Sequence, residues 1–189
     1  MIKYKLTTQD LKTHNNYQWE IGKKKVTSGE GELCSDGWLH CYHHPVLAII
    51  MNPNHANINN PKLFEVECGG SYKDDRGLKC GFTEMTLIKE IELPTLTITQ
   101  KVAFSILISR LYYKEESYIN WGNNWLNNTD RTDASAYAAY TTYTGNAVYT
   151  ANAAAYAAAY AAYIAYIAAN ASEIFLQQLI ECAEKCLEY

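Results

Sequence analysis

Up to about Thr95 the chain alternates apolar and polar positions in short runs, and beyond Pro94 the apolar positions recur at helical spacing. "IKYKLTT" alternates, "YQWEIGKKKV" alternates around Gly22, and "WLHCYHH" follows the turn signal Asp36-Gly37. "PKLFEVECGG" reads as a compact strand opened by Pro61 and closed by Gly69-Gly70, and "GFTEMTLIKEIEL" alternates up to Pro94. Between strands, "PVLAIIMN" predicts a short helix, with Pro45 favourable as its first residue because a missing N–H costs nothing there. Residues 1–95 therefore predict an α+β domain on a small, mostly antiparallel sheet.

In "TITQKVAFSILISRLYYKE" the spacing of Val102, Ile106, Ile108 and Leu111 predicts a helix from Ile98 to Glu115. Residues 96–131 form a packing helix and a connector, "SYINWGNNWLNNTD", a loop or short helix in which Trp121 and Trp125 share a face. Residues 132–189 are a different material. Ala134 to Ser172 carries no charge, and alanine has the highest helix propensity, so two helices are expected, Thr132–Thr144 and Asn146–Leu187, broken at Gly145-Asn146. At 100° per residue Tyr149, Tyr156, Tyr160, Tyr163, Ile167 and Ile174 fall on one stripe. That stripe predicts a buried seam between copies in a homo-oligomeric bundle or helical hairpin, because a long uncharged rod exposed to water is poorly soluble. Tyr137, Tyr140, Tyr143 and Tyr166 lie off the stripe and are the candidates for a partner surface, since tyrosine gives contact area at small entropic cost.

A net charge of -4 and a pI near 5.7 argue against direct nucleic-acid binding by counterion release, and the run Lys23-Lys25 reads as a solvated strand end. The opening "MIKYKLTTQD" has no apolar core of the signal-peptide kind, which predicts a cytoplasmic protein with its six cysteines reduced. The Ala/Tyr tract is too weakly apolar for a membrane helix, so no membrane partner is expected.

"CSDGWLHCYHH" holds Cys34, His40, Cys41, His43 and His44, yet these cysteines, like Cys68 and Cys80, lack zinc-site spacing, so no metal is expected. Cys182 and Cys186, one helical turn apart, read as packing residues. "CGGSYKDDRGLKCG" lacks the ending of a phosphate loop and reads as a hairpin with Asp74, Asp75 and Arg76 at its tip. No catalytic set and no cofactor are predicted. If a small ligand binds, Trp38, His40 and His43 are the residues to line its pocket.

The segment "GELCSDGWLHCY", a short helix and "LFEVECGG" together resemble a group of uncharacterised phage and prophage proteins. That group carries an L-C-x-x-G-x-H-x-C-like segment, an E-V-E-x-x-G strand and an Ala-rich helical tail. The pattern is held here by Leu33, Cys34, Gly37, Glu65, Val66, Glu67 and Gly70, and Leu39 shifts the histidine by one position. The resemblance implies a viral origin. The leading expectation is a phage-encoded, non-enzymatic inhibitor of a bacterial antiviral defence system, for example an anti-CRISPR, that contacts a host defence protein in the host cytoplasm, with the tyrosines giving contact area. A fainter resemblance to the ADP-ribosyltransferase pattern, in "WLHCYHHPVLAII" and "KLFEVE", implies the alternative of a small-ligand or signalling-nucleotide binder. A virion structural protein is the third reading.

Overall fold

A computed structural model describes residues 1–131, apart from Arg76, Tyr113 and Glu115, and residues 173–189. The expected seam of Tyr149, Tyr156, Tyr160, Tyr163 and Ile167, the partner tyrosines Tyr137, Tyr140, Tyr143 and Tyr166, and the break at Gly145-Asn146 all lie outside the described residues. The fold is α+β. Its strands are β1 (Ile2–Thr7), β2 (Lys12–Thr13), β3 (Tyr17–Gln18), β4 (Lys24–Val26), β5 (Leu39–Cys41), β6 (Lys62–Asp74) and β7 (Cys80–Ile91). Its helices are α1 (Pro45–His55), α2 (Ile98–Tyr112), α3 (Glu116–Leu126) and a C-terminal α4 (Glu173–Lys185). Two compact units result. Residues 1–95 and α4 through Ala183 form the first; α2, α3 and the residues from Glu184 onward belong to the second.

The sheet of the first unit is antiparallel, in the order β1-β6-β7-β4, and β5 pairs with the stretch of β7 preceding that taken by β4. Its far ends meet. Tyr4 and Tyr42 exchange both backbone hydrogen bonds, Tyr4 N–H to Tyr42 O at 3.0 Å and Tyr42 N–H to Tyr4 O at 2.7 Å, so β1 closes onto the end of β5. One face of the sheet thereby becomes an interior. Trp19, Leu39, Cys41, Phe64, Val66, Cys68, Cys80, Phe82, Met85 and Leu87 pack as one buried cluster. Register shows why β1 alternates as it does: Lys5 lies opposite Phe64 and points inward, whereas Leu6 lies opposite Leu63 on the other face. There α1 lies against β1, with Val46, Leu47, Ile50 and Met51 buried. Both faces of β1 are therefore covered.

Two expectations are corrected. "YQWEIGKKKV" is not one strand, because a turn closed by Lys23 N–H to Glu20 O at 3.2 Å separates β3 from β4. Gly69-Gly70 does not end its strand either; β6 runs on to Asp74 through a register shift. Gly70 has φ +75°, and a Cβ there would stand 2.1 Å from Thr83 Oγ1, so a glycine is what lets the bulged strand continue beside β7. The helix expected to reach Glu115 is described as α2 to Tyr112, and the Trp121–Trp125 connector forms α3, where Arg131 stacks over the Trp125 ring at 4.6 Å.

α1 begins as expected at Pro45, with His44 as its N-cap, and ends on His55. The His55 ring stacks on Tyr42 at 5.9 Å and its buried Nδ1 has no hydrogen-bond partner. Burial pulls His55 down to about 4, and likewise His40. Both rings are neutral in the fold while the unfolded chain takes up protons below about 6.5, so stability is lost as the pH falls from 6.5 through 4. Each ring accounts for roughly 3 kcal/mol of that loss. Urea melts of H55F between pH 7 and pH 4 are expected to show a shallower acid decline than the wild type, because the phenyl ring keeps the stack and removes a titration; an unchanged slope would contradict this.

Candidate functional site inside the closed sheet

The antiparallel register assembles an unusual row of side chains at one end of the interior. Cys80 begins β7, paired on one side with Asp74 of β6 and on the other with Cys41 of β5. Side chains directly opposite in antiparallel strands share a face, and His43, two residues beyond Cys41, continues the row. Lys3 and Lys5 enter the same face from β1, opposite Val66 and Phe64. The thiols are close: Cys41 Sγ lies 3.5 Å from Cys80 Sγ and 3.8 Å from Cys68 Sγ.

Asp74 is the organiser of the polar half. His43 Nε2 lies 2.9 Å from its Oδ2, Tyr72 donates its hydroxyl to the same oxygen at 2.8 Å, and the Gly77 amide donates to Oδ1 at 2.6 Å. The last bond depends on the hairpin tip. Gly77 has φ +87°, and a Cβ there would stand 3.0 Å from Leu176 Cδ1, so α4 packs on a tip that admits no side chain. On the other ring nitrogen, Lys3 Nζ approaches His43 Nδ1 at 2.6 Å. Nε2–H donates to the Asp74 carboxylate, and Lys3 adds a second positive group on the Nδ1 side. Burial and the Lys3 ammonium oppose a charged ring, but Asp74 and the neighbouring Cys80 thiol outweigh them and hold His43 up at about 9. Burial also works against the Asp74 carboxylate, yet His43, Tyr72 and Gly77 keep it below its ordinary range.

The thiols divide in the same way. The Cys80 thiol is drawn below its ordinary value by the hydrogen bond to Cys41, and further by His43 and Lys3, against the effect of burial. Cys41 is pushed up, first by burial and then by its two sulfur neighbours. A proton thus resides on Cys41 in preference to Cys80. Deeper in, Lys5 is buried, donates to the His40 carbonyl at 2.6 Å and stands over the Trp19 ring at 4.6 Å. Burial lowers it to about 8, against the three nearby thiols, which favour its charge. A base–acid pair beside a polarised thiol has the chemistry of a nucleophile, but Cys41 and Cys80 are fully buried and the His43 side chain is only 4% exposed.

The three residues proposed for a ligand do not converge. Trp38 is buried under Lys73, whose Nζ is 4.9 Å from the ring, and its Nε1–H donates to Gly31 O at 3.2 Å. His40 Nε2 makes a short contact with Leu33 O, and only His43 belongs to the interior row. Exposed Cys34 lies apart, 2.9 Å from Lys79 Nζ. Nothing in the sequence marks Lys5 as an interior residue, and there Cys80 reads only as a cysteine without zinc-site spacing. The lysines of "IKYKLTT" look like the solvent side of an amphipathic strand, and Asp74 looks like a hairpin tip. The available signal was that Lys3, Lys5 and Thr7 alternate with Ile2, Tyr4 and Leu6 in a chain whose partner strand, "LFEVEC", is apolar on both faces at its start.

A protein-family model described as a domain of unknown function, DUF7666, matches residues 1–99. The chain belongs to this family. The DUF7666 match takes in every strand described above, including the interior row from Lys3 to Cys80. No curated protein and no solved structure matches the chain. Among the described residues of this DUF7666 protein, no group of His, Cys, Asp and Glu is arranged to hold a metal ion, and no helix is long and apolar enough to cross a membrane.

Replacing Asp74 by Asn keeps an acceptor for Gly77 but removes the charge that sustains the His43 imidazolium. In D74N the His43 ring is expected to titrate well below its wild-type midpoint of about 9 when followed by NMR. Stability at pH 7 should fall by about 1–3 kcal/mol, the cost of weakening a hydrogen bond to a charged group. An unchanged His43 midpoint would show that Asp74 does not set it.

Proposed function

We propose that this protein is a non-enzymatic binding protein that antagonises a bacterial antiviral defence system, for example CRISPR, by contact with one of its proteins. The observation that carries this reading is the inward direction of the reactive groups. Cys80 and Lys5 are buried and the His43 side chain nearly so, each bonded to the others or to the chain, and a substrate would have to enter the sheet to reach them; Asp74 alone is partly exposed. Such groups serve the domain by fixing a single interior, and recognition then falls to its outer surface and to the tyrosine-rich segment. The phage-protein resemblance of Leu33 to Gly70 supplies the biological setting, a mobile-element protein acting in the host cytoplasm. Self-association through Tyr149, Tyr156, Tyr160, Tyr163 and Ile167 would present several copies at once, and multivalency raises avidity without any new contact.

The test is a plaquing assay in hosts that carry defined defence systems. Expression of the wild-type chain is expected to restore plaquing of a phage that one of these systems targets, and folded C80S and H43Q variants are expected to restore it equally. Failure against every system tested would remove the antagonist role. Loss of restoration in the folded C80S or H43Q variants alone would place chemistry in the interior and overturn the non-enzymatic reading. Light scattering at micromolar concentration is expected to give an oligomer; a monomer would contradict the seam.

A further inference from the structure

Cys41 and Cys80 lie buried side by side on adjacent strands. Tyr42 sends both its N–H and its C=O to Tyr4 of β1. Backbone groups of successive strand residues alternate between the two edges, so Cys41 directs its own toward β7 and forms a hydrogen-bonded antiparallel pair with Cys80. Such pairs hold their Cα atoms about 5.5 Å apart. That spacing lies within the roughly 4.4–6.8 Å that a disulfide spans. The sulfurs already face each other at 3.5 Å on the same side of the sheet. Cys68 is the competing partner, 3.8 Å from Cys41, but β6 is not the strand paired with β5, so no register holds those two Cα atoms in place.

We infer that Cys41 and Cys80 are a site of reversible thiol oxidation, at which hydrogen peroxide or a similar two-electron oxidant installs a cross-strand disulfide tying β5 to β7. The atoms balance in two steps. The Cys80 sulfur attacks one peroxide oxygen, an S–O bond forms, the O–O bond breaks, and the departing hydroxide takes the thiol proton, by way of the adjacent His43 ring, to leave as water. The Cys41 sulfur then attacks Cys80 Sγ, the S–S bond forms, the S–O bond breaks, and the second hydroxide leaves as water with the Cys41 proton. Two thiols and one peroxide become one disulfide and two waters. Cys80 is the attacking sulfur because His43, paired with Asp74, stands beside it, and Cys41 resolves the intermediate because it is the nearest thiol. The enclosing sheet limits access to a small oxidant. Dithiothreitol should reverse it by thiol–disulfide exchange.

The experiment uses the full chain, treated with hydrogen peroxide under native conditions, alkylated in denaturant and mapped by mass spectrometry. An intramolecular mass loss of about 2 Da is expected, with peptides joined through Cys41 and Cys80 and the mass restored by dithiothreitol. Of the six cysteines, the two joined leave four to be alkylated, Cys34, Cys68, Cys182 and Cys186. In H43Q, folded as judged by circular dichroism, the rate of linkage is expected to fall several-fold, a change that loss of packing alone would reverse in sign by exposing the thiols. If H43Q fails to fold, the wild-type map still decides. A Cys41–Cys68 linkage, oxidation confined to exposed Cys34, or no linkage at peroxide levels that oxidise Cys34 would each overturn the proposal.

Discussion

The backbone pair between Tyr4 and Tyr42 is the constraint from which the remaining features of the sheet domain follow. Without it β1 is an edge strand and its inner face, Lys3, Lys5 and Thr7, lies open to water. With it, the same face becomes an interior wall, and a lysine at an ordinary alternating position is enclosed with no route back to solvent. Enclosing an ammonium is costly unless it is paired. Lys5 offsets that cost with the His40 carbonyl at 2.6 Å, the Trp19 ring at 4.6 Å, and the three thiols of Cys41, Cys68 and Cys80. A hydrogen bond from a charged group contributes about 1.5–3 kcal/mol and a desolvated cation–π contact about 2. These partners offset part of the cost of burial, and burial still prevails, which is why the amine is drawn down to about 8.

The same closure explains why the interior is specific. A one-residue slip of β1 against β6 would turn Leu6 inward and Lys5 toward α1, leaving the ammonium among Val46, Leu47, Ile50 and Met51 with no acceptor. Asp74 acts similarly at the other end. It draws together β5 through His43, the hairpin tip through Gly77, and β1 through the Lys3–His43 contact. α4 packs on Gly77 and holds that tip from outside, which links the far end of the chain to the geometry of the row.

Much of this was legible in the residues themselves. Alternation in "IKYKLTT" and "GFTEMTLIKEIEL" located β1 and β7, Pro45 located the start of α1, and the apolar spacing after Pro94 located α2. What alternation could not reveal is which polar residues lie inside, because period two marks two faces and says nothing of whether the second is solvated. Closure depends on Tyr4 meeting Tyr42, a pairing 38 residues apart with no local signature. The bulge at Gly70 was hidden for a related reason: a glycine pair reads as a strand end when the partner that it must approach, Thr83, is not yet placed. Cys41, Cys68 and Cys80 share no short spacing, so their meeting is a product of register alone.

The sheet domain is best understood as a closed scaffold whose interior is organised by charge and thiol chemistry. The most direct measurement is the titration of the Lys5 side-chain amine, followed by nitrogen-detected NMR on the selectively labelled, full-length protein. An enclosed Lys5 titrates near 8. A midpoint at the ordinary 10.5 would mean that the amine reaches water, that β1 does not close onto Tyr42, and that the interior row is not assembled as described.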